Sequence, residues 1–450
     1  MRMALFSRSR SRGPRSPEPS AESTAFVRTA PRVSVEGGFR PFRANRTLLV
    51  LSIYQLLSNN RSSLFTVYFV LFVVDREGAT VSAGLAAFSA AYVVSSLVGP
   101  VAGRLSDRLG RRRPLIIFAE AGSLPFFVLI PLVPGFLLVA LFFVLAETIL
   151  SFGSTALQAF VADITAEKER GRSYGLLSAM GSAGAVAGTL AAGVVAEIFG
   201  LEAVFYMVGF LMAGTILLVV FAVPEAKLPA AAGKKPLREM KGLAVFSVAT
   251  SMRTLGTGAV TAFFGAYAAI LGANNFEVSL VAIAGLGTTA LVATRLGRTV
   301  DSVGEVLGYI YGTVTVLAAL LVYALSSAWI ELIPARIVYA GGFALLSPAM
   351  LSWVTKAAPG NRRAEYLGFF SLINSTLWSF GPIPGGAVEA YYGPLGLFGF
   401  ALAMTLVSLA MVYALYFRGA VAGQVPKGVQ PDFSTGAGPA LQVFTSHLPR

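Results

Sequence analysis

The chain has 450 residues, 55% of them hydrophobic and only 13% charged, with a net charge of +13. There is no cysteine, which excludes disulfides, thiolate metal sites and cysteine nucleophiles. The one histidine, His447, lies in a polar tail, so neither histidine proton relays nor His-based metal sites are expected, and no cofactor is called for. In a chain this apolar, the positive surplus marks cytoplasmic loops rather than a nucleic-acid surface.

Residues 1–44 are rich in Arg, Ser and Pro and lack an apolar h-region, so they read as a disordered basic cytoplasmic tail, not a signal peptide. Twelve apolar runs follow, many near the ~20 residues that cross a bilayer as a helix. Their predicted spans are 46–74, 81–102, 114–132, 136–162, 172–199 and 202–223, then 242–271, 276–296, 306–327, 329–354, 365–391 and 395–417. The runs are apolar on every side, unlike the alternating strands of roughly ten residues that build a membrane β-barrel. This predicts an all-α membrane protein with twelve transmembrane helices in two pseudo-symmetric six-helix bundles. The bundles are 45–223 and 242–418, joined by a cytoplasmic linker at 224–241 and followed by a disordered tail at 419–450.

Charge alternates between the links. Of the 35 Lys and Arg residues, only Arg76 is assigned to an outer link and three (Arg61, Arg253, Arg336) to the membrane. The rest fall on inner links or their borders. Both termini are therefore expected in the cytoplasm of a cell whose plasma membrane holds the protein.

One inner link stands out. Gly103-Arg104-Leu105-Ser106-Asp107-Arg108-Leu109-Gly110-Arg111-Arg112 reads as a charged turn between the second and third runs. A reduced copy, Gly297-Arg298-Thr299-Val300-Asp301-Ser302-Val303-Gly304, sits at the equivalent place in the second half. Elsewhere Arg170, Gly175, Gly188, Gly193 and Gly200 are echoed at constant spacing by Arg363, Gly368, Gly381, Gly386 and Gly393, the mark of an internal repeat.

These residues resemble the signature of the major facilitator superfamily over roughly residues 45 to 418. Gly103, Asp107, Gly110, Arg111 and Arg112 match the family's link between helices 2 and 3, and Gly297, Asp301 and Gly304 match its second-half copy. Asp163, Arg170 and Gly171 match the acid and Arg-Gly pair between helices 4 and 5. The resemblance implies two bundles that rock about a central site open alternately to either side. In that picture Asp107 caps a helix N-terminus near Arg363 and Ala364 when the inner side closes, and Asp301 does the same near Gly171. The alternative is that Arg104, Arg111, Arg112 and Arg113 only fix topology, with Arg298 the arginine of the second-half copy. Helix 5 carries Gly181, Gly184, Gly188 and Gly193 without the Gly-Pro pair of the family's antiporters, and small residues at this spacing predict close helix packing.

Arg61, Glu120, Glu147, Arg253 and Arg336 lie inside apolar runs. Each would cost ~3 kcal/mol facing lipid, so they are expected to face a cavity or one another. Glu147 heads a stripe with Ser151, Ser154 and Gln158 along one face of helix 4. It is a candidate proton carrier, or else the permanent partner of Arg61. Arg61 and Arg253 occupy near-equivalent repeat positions, which resembles the organophosphate antiporters of the superfamily, where arginines on helices 1 and 7 clamp the anion. In helix 1, Arg61 shares a face with Tyr54, Ser58 and Tyr68, while Ser52, Gln55, Asn59 and Thr66 lie opposite, and the sequence leaves open which face meets the cavity. Arg253 borders a Thr250, Thr254, Thr257, Thr261 stripe. The Pro pair Pro382 and Pro384 predicts a bend in helix 11.

No Walker sequence is present, so ATP does not drive the protein directly. The function expected is secondary transport of a small solute by alternating access, with a proton or counter-solute as coupling species. Proton-coupled efflux or exchange leads, and an organic-anion or organophosphate exchanger using Arg61 and Arg253 is the alternative. A non-transporting membrane sensor on the same fold comes behind both. An enzyme is not expected. The partners are the small-molecule substrate and the bilayer, with the chain acting as a monomer.

Overall fold

The computed structural model describes residues 41–164, 170–224, 241–358 and 363–421, and the elements among them are all helices. The chain divides into units 1–43 and 44–450, and the helical bundle belongs to the second. The expected tails and most of the 224–241 linker fall outside the described residues.

The first half contains α1 (Pro41–Glu77), α2 (Val81–Leu109), α3 (Arg113–Leu129), α4 (Phe136–Ile164), α5 (Arg170–Phe199) and α6 (Leu201–Ala222). The second contains α7 (Lys241–Ile270), α8 (Asn275–Val303), α9 (Glu305–Leu325), α10 (Leu332–Ala357), α11 (Arg363–Phe380) and α12 (Pro382–Val421). Local chemistry sets the helix starts. Thr80 accepts a hydrogen bond from the Ala83 amide at the head of α2 (3.2 Å), and Asn274 and Glu277 form a reciprocal capping box at the head of α8.

Nine segments among the described residues are long and apolar enough to cross a membrane. The last of them, Tyr366–Leu415, includes Gly393 with φ 66° and ψ −164°. The chain reverses there, so this segment makes two passes. The α1 and α7 helices fall outside the nine because the polar cluster Ser58–Ser63 and the Arg253-threonine face lower their hydropathy. With those two helices, the chain makes twelve passes.

Three boundaries differ from expectation. The charged motif is mostly helix, because α2 continues to Leu109 and only Gly110, Arg111 and Arg112 link it to α3. Gly110 supplies the left-handed backbone (φ 59°) that ends α2, and in the second half Gly304 alone (φ 87°) separates α8 from α9. Likewise α1 runs on to Glu77, which shortens the first outer link to Gly78, Ala79 and Thr80. Helix 11 breaks at Gly381, just before the Pro pair, as its sequence predicted.

Within the first half, α3 and α4 pack together, α2 packs on α4 and α3 on α6. A nest of rings joins them: Phe65 stacks on Phe127 (4.4 Å), Phe69 on Phe143 (3.9 Å), and Phe72 meets Phe205 (4.5 Å). Within the second half, α7 packs on α11 and α12, and α10 on α8 and α9. The halves meet through α5 with α8 and through α2 with α11 and α12.

Several contacts across that meeting gather toward one end. Tyr68 on α1 donates to the Asn275 carbonyl (2.8 Å) and shares a hydrogen bond with Ser279 (2.6 Å), which in turn donates to the Thr189 carbonyl (2.6 Å). Gly193 packs against Ser279, Gly265 against the Val67 carbonyl, and Gly386 against Leu85 and Ser82. All of these lie toward the end that carries the short links Gly78–Thr80, Gly200, Gly272 and Gly393. Further in, Ser89 donates to the Ser379 carbonyl (2.5 Å), and Phe88 and Tyr92 meet Trp378. Past Trp378, toward the arginine-bearing end, Gly99, Gly287, Gly297 and Gly368 on α2, α8 and α11 would find no neighbour within 4 Å for an added Cβ.

Candidate functional site

Helix 1 turns the Arg61 face inward to its own bundle. Arg61 pairs with Glu120 on α3 at 2.5 Å, and the two are 3% and 0% exposed. Glu120 also accepts from the Tyr54 hydroxyl (2.6 Å) and from Thr215 on α6 (3.1 Å), and Ser58 accepts from Arg61 (3.1 Å). The expected Arg61–Glu147 pair is therefore corrected: Arg61 sits two helical turns from Tyr54, and that face points to α3. Burying the pair is affordable only because both charges are matched and hydrogen-bonded. Opposite, Gln55 donates to Asn59 (3.1 Å), and both lie against Gly181 of α5. Ser62 is exposed and Thr66 half-buried, so the face away from Glu120 is the open one.

Glu147 is half-buried and its carboxylate forms no ion pair or hydrogen bond among the described residues; only its carbonyl is engaged, accepting from Ser95 on α2 (2.6 Å). Arg61 and Tyr92 are near enough to act on it electrostatically. Ser151 is half-buried, and Ser154 and Gln158 are exposed. At about 100° per residue this stripe lies on a different face from the exposed Leu137, Leu141 and Leu145. Tyr92 stands edge-on to Trp378 of the other half (5.6 Å, 82°). Glu147 thus lies close to a contact between the two halves.

Arg253 on α7 is 0% exposed, and none of its three guanidinium nitrogens meets a hydrogen-bond partner. Phe343 lies 5.8 Å from it. A cation–π contact at such range is worth ~1 kcal/mol, against several kcal/mol for an unpaired buried charge. Arg253 lines a cavity of about 190 Å³ between α7, α10 and α11, with Ser347, Ser371, Asn374 and Ser375. The Arg61–Arg253 clamp is therefore not assembled. Arg61 is committed to Glu120 inside one bundle, and Arg253 is enclosed in the other. Arg336 lies over Phe264 (4.4 Å) and Tyr339 (5.5 Å), its stem against Gly285. No carboxylate among the described residues pairs with either second-half arginine.

At the arginine-bearing end, Arg104, Arg111 and Arg298 are exposed. Arg112 is buried and donates to Ser106 (2.5 Å), and Arg113 donates to the Val220 carbonyl of α6. Gly103 faces Thr155 of α4. The gate roles expected of Asp107, Asp163, Arg170 and Asp301 fall on side chains outside the described residues.

Sequence reasoning missed Tyr92 and Thr215. Thr215 is a lone polar residue in a very apolar run, which was a usable signal. Nothing in the sequence alone ties Tyr92 to Trp378.

The family model of the Major Facilitator Superfamily matches residues 51–253 and again 246–447, one match per half. Over 353 residues the chain is 26% identical to the multidrug resistance protein MdtG of Proteus mirabilis, covering 75% of this chain and 86% of that one. It is 25% identical over 322 residues to a multi-drug resistance efflux pump PmrA homolog of Lactococcus lactis, covering 68% and 78%. Among solved structures, a bacterial homolog of the human lysosomal transporter Spinster, in an inward-facing and occupied conformation, superimposes with a TM-score of 0.65 at 17% identity, over 85% of this chain and 98% of that one.

Proposed function

The chain belongs to the Major Facilitator Superfamily, and from that premise we propose that it exports an amphipathic small molecule by alternating access, driven by proton exchange at Glu147. It is a multi-pass membrane transporter of small molecules and not an enzyme. Efflux is supported by relatives named for multidrug resistance. The observation that carries the coupling is the contrast between two carboxylates. Glu120 is held by Arg61, Tyr54 and Thr215. Glu147 has no such partner among the described residues and stands beside the Tyr92–Trp378 contact that joins the halves.

A carboxylate left without a fixed cation can gain and lose a proton as water reaches it from alternate sides. The arginine-bearing end is taken as cytoplasmic by its charge, which puts the Tyr68–Ser279 contacts toward the outer side. The proton serves as the coupling species, the chain works as a monomer, and no cofactor takes part. An organophosphate clamp loses support because the Arg61 guanidinium is committed to Glu120. A sensor without transport would leave Glu147 no task.

The test is purified Glu147→Gln in proteoliposomes under an imposed pH gradient, with amphipathic fluorescent dyes of negative, zero and positive charge. Wild type should accumulate at least one dye against its gradient, and the variant should only equilibrate it. Gradient-driven accumulation that survives in Glu147→Gln would remove the proton role.

A further inference from the structure

We propose that the cavity around Arg253 is a binding site for a single negative charge carried on an apolar body, an aromatic or alkyl carboxylate. The inference rests on the transporter reading above and adds a substrate class to it. Arg253 is fully buried, and all three of its nitrogens lack an acceptor among the described residues. The hydroxyls of Ser347, Ser371 and Ser375 line the same cavity and are half-buried or exposed. None of these hydroxyls is engaged in a hydrogen bond among the described residues. The Asn374 side-chain amide donates to Ser251 (3.3 Å), and its backbone carbonyl accepts from Thr254 (3.4 Å).

The lining therefore supplies a planar guanidinium and three hydroxyl donors, with no acid to neutralise them. Guanidinium geometry matches a carboxylate with two parallel hydrogen bonds. One fixed positive charge balances one negative charge, which favours a monoanion over a dianion. Phe343 and Phe370 on the same wall provide the apolar surface that an alkyl or aryl body needs. The first half offers no rival for such a ligand, because Arg61 is already neutralised by Glu120.

Equilibrium binding to the full chain in detergent tests this without any gradient, so it can fail independently of the Glu147 result. Benzoate, benzamide and benzylammonium share one apolar body and differ in charge. Benzoate alone should raise the thermal midpoint of the wild type. Arg253→Gln should weaken benzoate by about tenfold or more, Arg253→Lys by less, and Arg336→Gln should leave it unchanged. Equal binding of all three probes, or benzoate binding unaltered in Arg253→Gln, would overturn the proposal.

A second readout covers a variant that does not fold. The chain has no cysteine, so Leu351→Cys places a single thiol on the cavity wall. Benzoate, and not benzamide, should slow its reaction with N-ethylmaleimide. A thiol that does not react, or one that benzoate does not protect, also counts against the site.

Discussion

Replacing Glu120 by Gln keeps the size of the side chain and removes its charge. In the native bundle Glu120 takes hydrogen bonds from Arg61, Tyr54 and Thr215 and is 0% exposed. The amide can still serve the Tyr54 hydroxyl, which accepts as well as donates, so the main loss is the compensation of the Arg61 charge. Breaking a buried pair from one side costs ~3–5 kcal/mol, because the surviving charge remains in a low-dielectric site. Adding Arg61→Met should then return at least half of that loss, since the orphaned charge leaves with the arginine. The assay is unfolding of the wild type and the two variants in mixed micelles, followed by circular dichroism at increasing SDS fraction. If Glu120→Gln is neutral, or if Arg61→Met makes it worse, the pair does not hold α1 to α3 as described.

Three further expectations concern the sealed end. Tyr68→Phe loses the hydroxyl's bonds to Ser279 and Asn275, worth ~1 kcal/mol in the sealed state alone, and should shift the two-state equilibrium about fivefold toward opening there; spin-label distances across that end would report it, and unchanged populations would contradict it. Gly265→Ala pushes a Cβ into the Val67 carbonyl and should block closure and transport, whereas Gly214→Ala on α6 meets open space and should transport like wild type; equal rates in the two variants would refute the seal. Arg76 and Glu202 form an exposed pair at 2.6 Å, so Arg76→Ala should change stability by less than ~1 kcal/mol and by nothing measurable in high salt; a larger loss would mean that the pair is structural.

The twelve passes were legible because lipid forces every spanning segment to satisfy its own backbone, so each apolar run had to be a helix. The ends of those helices were less legible, since α2 continues through charged residues once they reach water. The Glu147 stripe could be seen because it is a property of one helix and its period. The partner of Arg61 could not, because the choice between Glu120 and Glu147 depends on how α1 is rotated against α3 and α4. Arg253 shows the same limit from the other side: that nothing answers its charge is a fact about α10 and α11, and no pattern within α7 carries it.

Gly200 joins α5 to α6 and Gly304 joins α8 to α9, each as a single residue, which leaves no slack for one partner to slide while the other stays. Each hairpin must tilt as a stiff lever, with its fulcrum at the seam between Gly193 and Ser279. From Gly193 back to Arg170, α5 is roughly 35 Å long, so a tilt of about ten degrees sweeps its far tip through about 6 Å. A solute the width of one aromatic ring could be admitted or shut out by a movement that barely disturbs the fulcrum.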